Sequence, residues 1–249
     1  MKKIILLILS ITFAFSQENI NYQVPSSEIL DLVEYDRPPT VTYDNDKNFM
    51  LFLYRDNYKS IEDLSQEELR LAGLRINPKT NIGSRITYYN NIKIKNLKNK
   101  RSEIEDIIGI PSNPKIANIN WSPNQKNIAF TNTSSDGVKL WVLNLESRSL
   151  VKLSDSKLNS NIRDVINWLN DSEILIKVIP DNKKELIDQS DIVPLGPTIS
   201  SNDGENAQNR TYQDLLKNKT DEFNFEQLVT SDLYKVDLNG RINKWLDSD

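Results

Sequence analysis

Histidine and cysteine are both missing from this 249-residue chain. Without histidine there is no Ser-His-Asp triad, no histidine general base and no histidine metal ligand. Without cysteine there is no disulfide, no thiolate nucleophile and no cysteine zinc site. Glycine is scarce as well, with seven in the chain, and none sits in a Gly-x-Ser-x-Gly elbow. Most hydrolytic chemistry is excluded on these counts, so no catalytic, cofactor-binding or metal-ligating residue is assigned and no cofactor is expected. Charge of one sign does not dominate either: 31 Lys and Arg face 35 Asp and Glu, for a net charge of -4. At 38% hydrophobic residues the chain is too apolar for a wholly disordered protein.

Long hydrophobic runs are confined to the N-terminus. Lys2 and Lys3 precede a mostly apolar stretch from Ile4 to Phe15, with Ala14 and Ser16 at small-residue positions before Gln17. This pattern predicts a secretion signal over residues 1–16, cut ahead of Gln17. An uncleaved anchor is the alternative, but the stretch falls short of the about 20 apolar residues that a bilayer span needs. The expectation is an exported chain, periplasmic or extracellular, with no membrane attachment after cleavage. Abundant Asn, Lys and Ile fit an AT-rich bacterial genome.

From Ile116 to Asp155 the chain reads as four short strands: Ile116 to Trp121, Asn127 to Asn132, Val138 to Leu145 and Leu150 to Leu153. The turns are Ser122 to Lys126, Ser134 to Gly137 and Glu146 to Arg148, with Gly137 supplying the positive φ of a hairpin. Four strands in about 40 residues match one blade of a β-propeller. The unit recurs: Trp168 to Ser172 followed by Glu173 to Val178 repeats the Trp-turn-strand outline 47 residues after Trp121. Leu233 to Leu238 and Ile242 to Leu246 complete it. Near the N-terminus Val41 to Tyr43 and Phe49 to Leu53 repeat the outline with Tyr43 in place of Trp, and Ile86 to Leu97 and Ile104 to Ile108 would finish that blade. The expected fold is all-β, a partial β-propeller of about three four-stranded blades with short helical insertions, over residues 17–249. A jelly roll or sandwich is the alternative. An insertion at about 54–84 carries Ser65-Gln66-Glu67-Glu68, a capping-box pattern predicting a short helix to Ala72 that Gly73 ends. A second, at about 181–230, begins as a polar segment through Asn209. A helix is expected there from Tyr212 to Asn218.

Each patch with chemical potential has a plainer reading. Asp44 to Asn48 resembles the opening of a calcium loop, but Phe49 and Arg55 stand where that loop needs Gly and a bidentate Glu, so a strand-to-strand turn is expected. Lys93, Lys95, Lys98, Lys100 and Arg101 form a basic run on an acidic chain, which reads as a solvated edge, with no nucleic-acid partner. Glu67 and Glu68 are expected on different sides of a helix and make no acid/base pair. Trp121, Trp141, Trp168 and Trp245 are expected to pack between blades. Sequons at Asn132, Asn170 and Asn218 matter only in a glycosylating host.

Several blocks resemble one family. They are Tyr22 to Pro25, Glu28 to Val33, Arg37-Pro38-Pro39, Glu68 to Pro78, Trp121-Ser122-Pro123, Ala129 to Thr133, and Arg210 to Asn218 with Asp221-Glu222 following. The chain is similar to the propeller portion of long bacterial serine peptidases of the prolyl oligopeptidase clan, closest to the glutamyl endopeptidase branch. The Leu71 to Pro78 and Arg210 to Leu216 blocks are the most specific, because generic propellers lack these insertions. The resemblance implies a C-terminal α/β-hydrolase domain that carries the Ser, Asp and His and lies beyond this chain. It also implies that the propeller limits access of peptide substrates to that domain, and that the present sequence is a truncated one. Catalysis by this chain alone is not expected. A stand-alone secreted binding module that oligomerises is the competing reading, since an unclosed propeller leaves an edge strand unpaired.

Overall fold

The computed structural model describes residues 24–188, 196, 204 and 213–248. The secretion signal expected over 1–16 and the polar segment around Ser200 to Asn209 lie outside the described residues, Gly204 apart. Two compact units divide the chain at Asp36 and Arg37. In the first, helix α1 (Ser27–Val33) has Glu28 in its first turn and buries none of its residues.

The second unit is built of strands. Its first sheet starts with β1 (Thr40–Tyr43) and β2 (Phe49–Tyr54). After an insertion that holds helix α2 (Ile61–Leu64) and strands β3 (Leu69–Leu71), β4 (Leu74–Asn77) and β5 (Ile82–Gly83), the sheet ends with β6 (Asn91–Asn96) and β7 (Glu105–Asp106). The second sheet is continuous in sequence: β8 (Ile116–Trp121), β9 (Asn127–Ser134), β10 (Gly137–Asn144) and β11 (Ser149–Lys152). The third comprises β12 (Ile166–Trp168), β13 (Glu173–Val178) and, beyond helix α3 (Lys219–Val229), β14 (Asp232–Asp237) and β15 (Ile242–Leu246). All three are antiparallel, with orders β1-β2-β6-β7, β8-β9-β10-β11 and β12-β13-β14-β15. Consecutive strands pair throughout each blade-like sheet, apart from the detours through the two insertions. The strands follow the predicted blades, although β6 begins only at Asn91 and β7 is reduced to two residues. No closed ring of sheets forms among the described residues.

Side-chain alternation explains how the sheets stack. On β10, Val138, Leu140 and Val142 enter one core with Ile174, Ile176, Val178 and Val236 of the third sheet. Its odd-numbered neighbours Trp141 and Leu143, with Leu145, enter the other, against Phe49, Leu51, Leu53, Ile92 and Ile94 of the first sheet. On β9, Ala129 faces the first of these cores while Ile128 and Phe130 face the second. The middle sheet is therefore buried on both faces, which a period of two produces when each face carries apolar residues. The turns that follow the aromatic residue of each unit are also linked in series. Asn45 N–H donates to Gln125 Oε1 at 3.2 Å, and Asn124 N–H donates to Asp171 Oδ1 at 2.8 Å. Gly109 (φ 92) marks another close approach, for a Cβ there would lie 2.9 Å from the Leu150 carbonyl oxygen.

The first insertion departs from the sequence reading. Ser65 to Ala72 is not a helix: Leu69–Leu71 is β3, paired with β4 and then β5 in a small antiparallel sheet. The helix lies earlier, at Ile61–Leu64, where Ser60 Oγ accepts from Asp63 N–H at 3.1 Å and donates to Asp63 Oδ2 at 3.0 Å. Ser65 is that helix's C-cap. Ala72 (φ 50) and Gly73 (φ 77) form the two-residue turn between β3 and β4, the double positive φ that a tight hairpin requires. Pairing across that hairpin and burial of Leu71 and Ile76 outweigh the local capping signal. The second insertion is displaced in the same way. Gln213 to Asn218 is not helical, and Asn218 is instead the N-cap of α3, its side chain accepting from Asp221 N–H at 2.8 Å. Among the described residues no helix is long and apolar enough to cross a membrane.

Candidate functional site

A cleft of about 850 Å³ opens where the first insertion meets the first and second sheets. Its walls come from the segment after β2 (Arg55 to Lys59), from α2, from the turn after β4, and from Tyr88, Lys115 and the end of β9. Tyr88 and Ile86 give it apolar surface, and Arg55, Lys59 and Lys115 are its half-buried cations. Lys115 Nζ pairs with Asp63 at 2.6 Å and stands 6.0 Å from the centre of the Tyr88 ring. Burial acts to raise the Asp63 carboxyl, but hydrogen bonds from Lys115 and Ser60 overcome it and hold the group below its ordinary value. Lys59 Nζ donates to the Ser84 carbonyl at 2.9 Å. Burial chiefly raises the Tyr88 phenol, with the Asp63 charge adding to it, and the contact with Thr133 only partly offsets them.

Beside this cleft the two insertions pack on each other. Leu71, Ile76 and Leu228 are buried together, with Leu69, Leu74, Leu186, Leu216 and Phe225 around them. Arg75 reaches Glu68 at 2.9 Å and Asp214 at 3.3 Å, and Gly73 N–H donates to the Asp214 carbonyl at 3.1 Å. Asn159 and Asn161 both donate through Nδ2 to the Leu228 carbonyl, at 2.9 and 2.7 Å. The Leu71 to Pro78 block and the block around Asp214, the two most specific stretches of the sequence, thus touch directly.

Glu68 is the electrostatic centre of that contact. It accepts from Arg85 and Ser84, then from Arg75 and Arg70, all between 2.6 and 3.0 Å. These bonds, led by Arg85, hold its carboxyl far below the ordinary value of 4.5. A carboxylate whose folded-state value is depressed stabilises the fold above its unfolded value and loses that contribution as the pH falls. Replacing Glu68 by Gln is therefore expected to cost on the order of 1 kcal/mol near neutral pH. The gap from wild type should narrow as the pH drops below about 4.5, because the wild type loses its advantage there. Thermal unfolding of both proteins across that range checks it; a constant gap would contradict it.

The other residues singled out by sequence fall where simpler roles place them. Asp44 closes the β1–β2 turn, its Oδ1 accepting from Phe49 N–H at 2.6 Å and its Oδ2 from Asn48 at 3.2 Å. Lys93 pairs with Asp106 at 3.1 Å on β6, and Lys98 lies 5.8 Å from the Phe49 ring centre. Glu67 is exposed and Glu68 is ion-paired, on a loop rather than a helix. Trp121, Trp141 and Trp168 pack against the inter-sheet cores, and Trp168 Nε1 ties the third sheet to the Asn120 carbonyl at 3.1 Å. Trp245 departs from the expectation of inter-blade packing: it is 54% exposed, with Lys235 Nζ 4.9 Å from its ring centre. Asn132 is buried and accepts from Lys115 N–H, a poor position for a glycan. Sequence reasoning passed over Arg55 except as a missing calcium ligand, and no periodic signal marks the cleft.

Serial four-stranded antiparallel sheets sharing faces define this as an all-β chain of the partial-propeller class. No protein-family model matches it. Over 239 residues, 91% of the chain, it is 32% identical to a probable chloroplastic glutamyl endopeptidase of Oryza sativa subsp. japonica. Over 234 residues it is 31% identical to the corresponding Arabidopsis thaliana protein. The resemblance to the glutamyl endopeptidase branch of the prolyl oligopeptidase clan, read from the insertion motifs, is borne out by these relatives. The chain spans about a quarter of their length, 25% and 24%. Among solved structures it is similar to a Pyrococcus horikoshii acylaminoacyl peptidase, with TM-score 0.40, 15% identity, and coverage of 88% of this chain and 26% of that one.

Proposed function

We propose that this chain is the propeller-forming portion of an exported serine peptidase, in which it covers a catalytic α/β-hydrolase domain and restricts entry of peptides. The observation that carries the reading is the 32% identity to a glutamyl endopeptidase along 91% of a chain that contains no histidine and no cysteine. A protein without histidine cannot supply the general base of a Ser-His-Asp site, so the chemistry belongs to another domain and this part contributes walls and access. Export rests on the basic start and apolar stretch of residues 1–16, and a periplasmic or extracellular bacterial location follows from it.

Two measurements test the proposal. The purified chain should hydrolyse no peptide or casein substrate, and activity that follows the chain through purification to homogeneity would overturn the division of labour. An immunoblot of source cells with an antibody against residues 181–230 should show a product several times larger than this chain. A single band at the size of the chain itself would favour a self-contained binding module.

A further inference from the structure

We propose that the cleft beside the first insertion is a binding site for an oxyanion, anchored by Arg55; this goes beyond the peptidase reading and does not depend on it. Arg55 follows directly on β2 and lines the cleft. Its Nε is buried, has no hydrogen-bond partner, and no described carboxylate pairs with the guanidinium. A buried donor left unpaired is costly, and a guanidinium fork matches the paired oxygens of a carboxylate or phosphate. The acids lining the cleft are paired or exposed: half-buried Asp63 is held by Lys115 at 2.6 Å and by Ser60. Asp56 is exposed and accepts from Asn90 at 2.7 Å. Glu62 and Glu67 stand exposed at the rim, where solvent screens them. Inside, Lys59 adds positive charge and uses one donor on the Ser84 carbonyl, while the Lys115 charge is balanced by Asp63. At about 850 Å³ the space lies within the range that holds small organic ligands. Tyr88 and Ile86 offer apolar contact to the remainder of such a ligand.

Calorimetric titration of the folded full chain with three probes tests this. The probes are an N-acetylated alanine tripeptide with a free carboxylate, the same tripeptide as its C-terminal amide, and inorganic phosphate. The free-carboxylate peptide is expected to bind saturably, and the amide at least about tenfold more weakly, since it lacks the charge that Arg55 reads. Competition by phosphate would mean that any oxyanion suffices; saturable binding of phosphate alone would assign the site to phosphate instead of an organic carboxylate. Arg55→Gln should lower the affinity at least about tenfold, whereas Arg85→Gln, which disturbs an ion pair outside the cleft, should leave it unchanged. The comparison of acid with amide uses wild type only, so it holds even where Arg55→Gln fails to fold. No saturable binding of any probe, equal binding of acid and amide, or full affinity in a folded Arg55→Gln protein would overturn the proposal.

Discussion

Phe130→Ala is expected to lower the unfolding free energy by about 3–5 kcal/mol, the range for removing a large aromatic side chain from a close-packed core. Phe130 is 1% exposed on β9, among Leu51, Ile94, Ile128 and Leu143. Its site is poorly placed to collapse around the void. The strand that carries it presents Ala129 to the opposite core, so movement toward the cavity would open a gap on the other side. A sheet buried on both faces has little freedom to relax, and the residual cavity term adds to the lost transfer free energy. Urea unfolding should show the loss as a shift in midpoint with an unchanged slope. Val151→Ala, on the exposed side of β11 at 56% exposure, should stay within about 0.5 kcal/mol of wild type. A loss below about 1 kcal/mol for Phe130→Ala would mean that the first and second sheets do not share a tight core.

The same alternation that makes Phe130 sensitive is what made the sheets legible in the sequence. Phe49, Leu51 and Leu53 alternate with less buried neighbours, as do Ile174, Ile176 and Val178, and each run follows a turn rich in Asn, Asp or Ser. The insertions were not legible in this way. Ser65 to Glu68 carries a helix-start pattern worth about 1 kcal/mol, whereas Leu69, Leu71 and Ile76 gain more by lying buried or half-buried on one face of a hairpin over α3. Ser60-Ile61-Glu62-Asp63 was the capping signal that the fold uses. The helix predicted over Tyr212 to Asn218 missed for a related reason: Asn218 is a cap, and a cap belongs to the residues after it. Contacts such as Arg75 with Asp214 join residues far apart in the chain, and no local periodicity encodes them. The cleft was hidden for the same reason, since Arg55 and Lys59 come from the segment after β2 and Lys115 from a segment far along the chain. The family resemblance pointed to both insertion blocks without revealing that they touch.

That contact sets the second large effect. Leu228→Ala is expected to weaken docking of α3 on the first insertion by about 2–5 kcal/mol. Leu228 is fully buried at 0% exposure, between Leu71 and Ile76, in a cluster separate from the two inter-sheet cores. The loss should therefore be local. Native-state hydrogen exchange should show reduced protection in α3, β3 and β4, while amides of β9 and β10 keep theirs, because cooperative units open according to their own contacts. Polar ties will not compensate. The Leu228 carbonyl accepts from Asn159 and Asn161 through backbone that the substitution leaves in place, but Arg75 and Asp214 remain a quarter or less exposed and cannot close the cavity. Arg75→Gln should cost less, about 1 kcal/mol, since the Gly73 to Asp214 backbone bond and the apolar cluster survive it. Equal loss of protection in β9 and β10 would show that the insertions and the sheets unfold as one body. Unchanged protection in β3 and β4 would show instead that the small sheet is held by the Glu68 ion pairs and not by α3. The expected pattern lies between these, with a rigid stack of sheets and a pair of insertions clasped at its side by one leucine cluster.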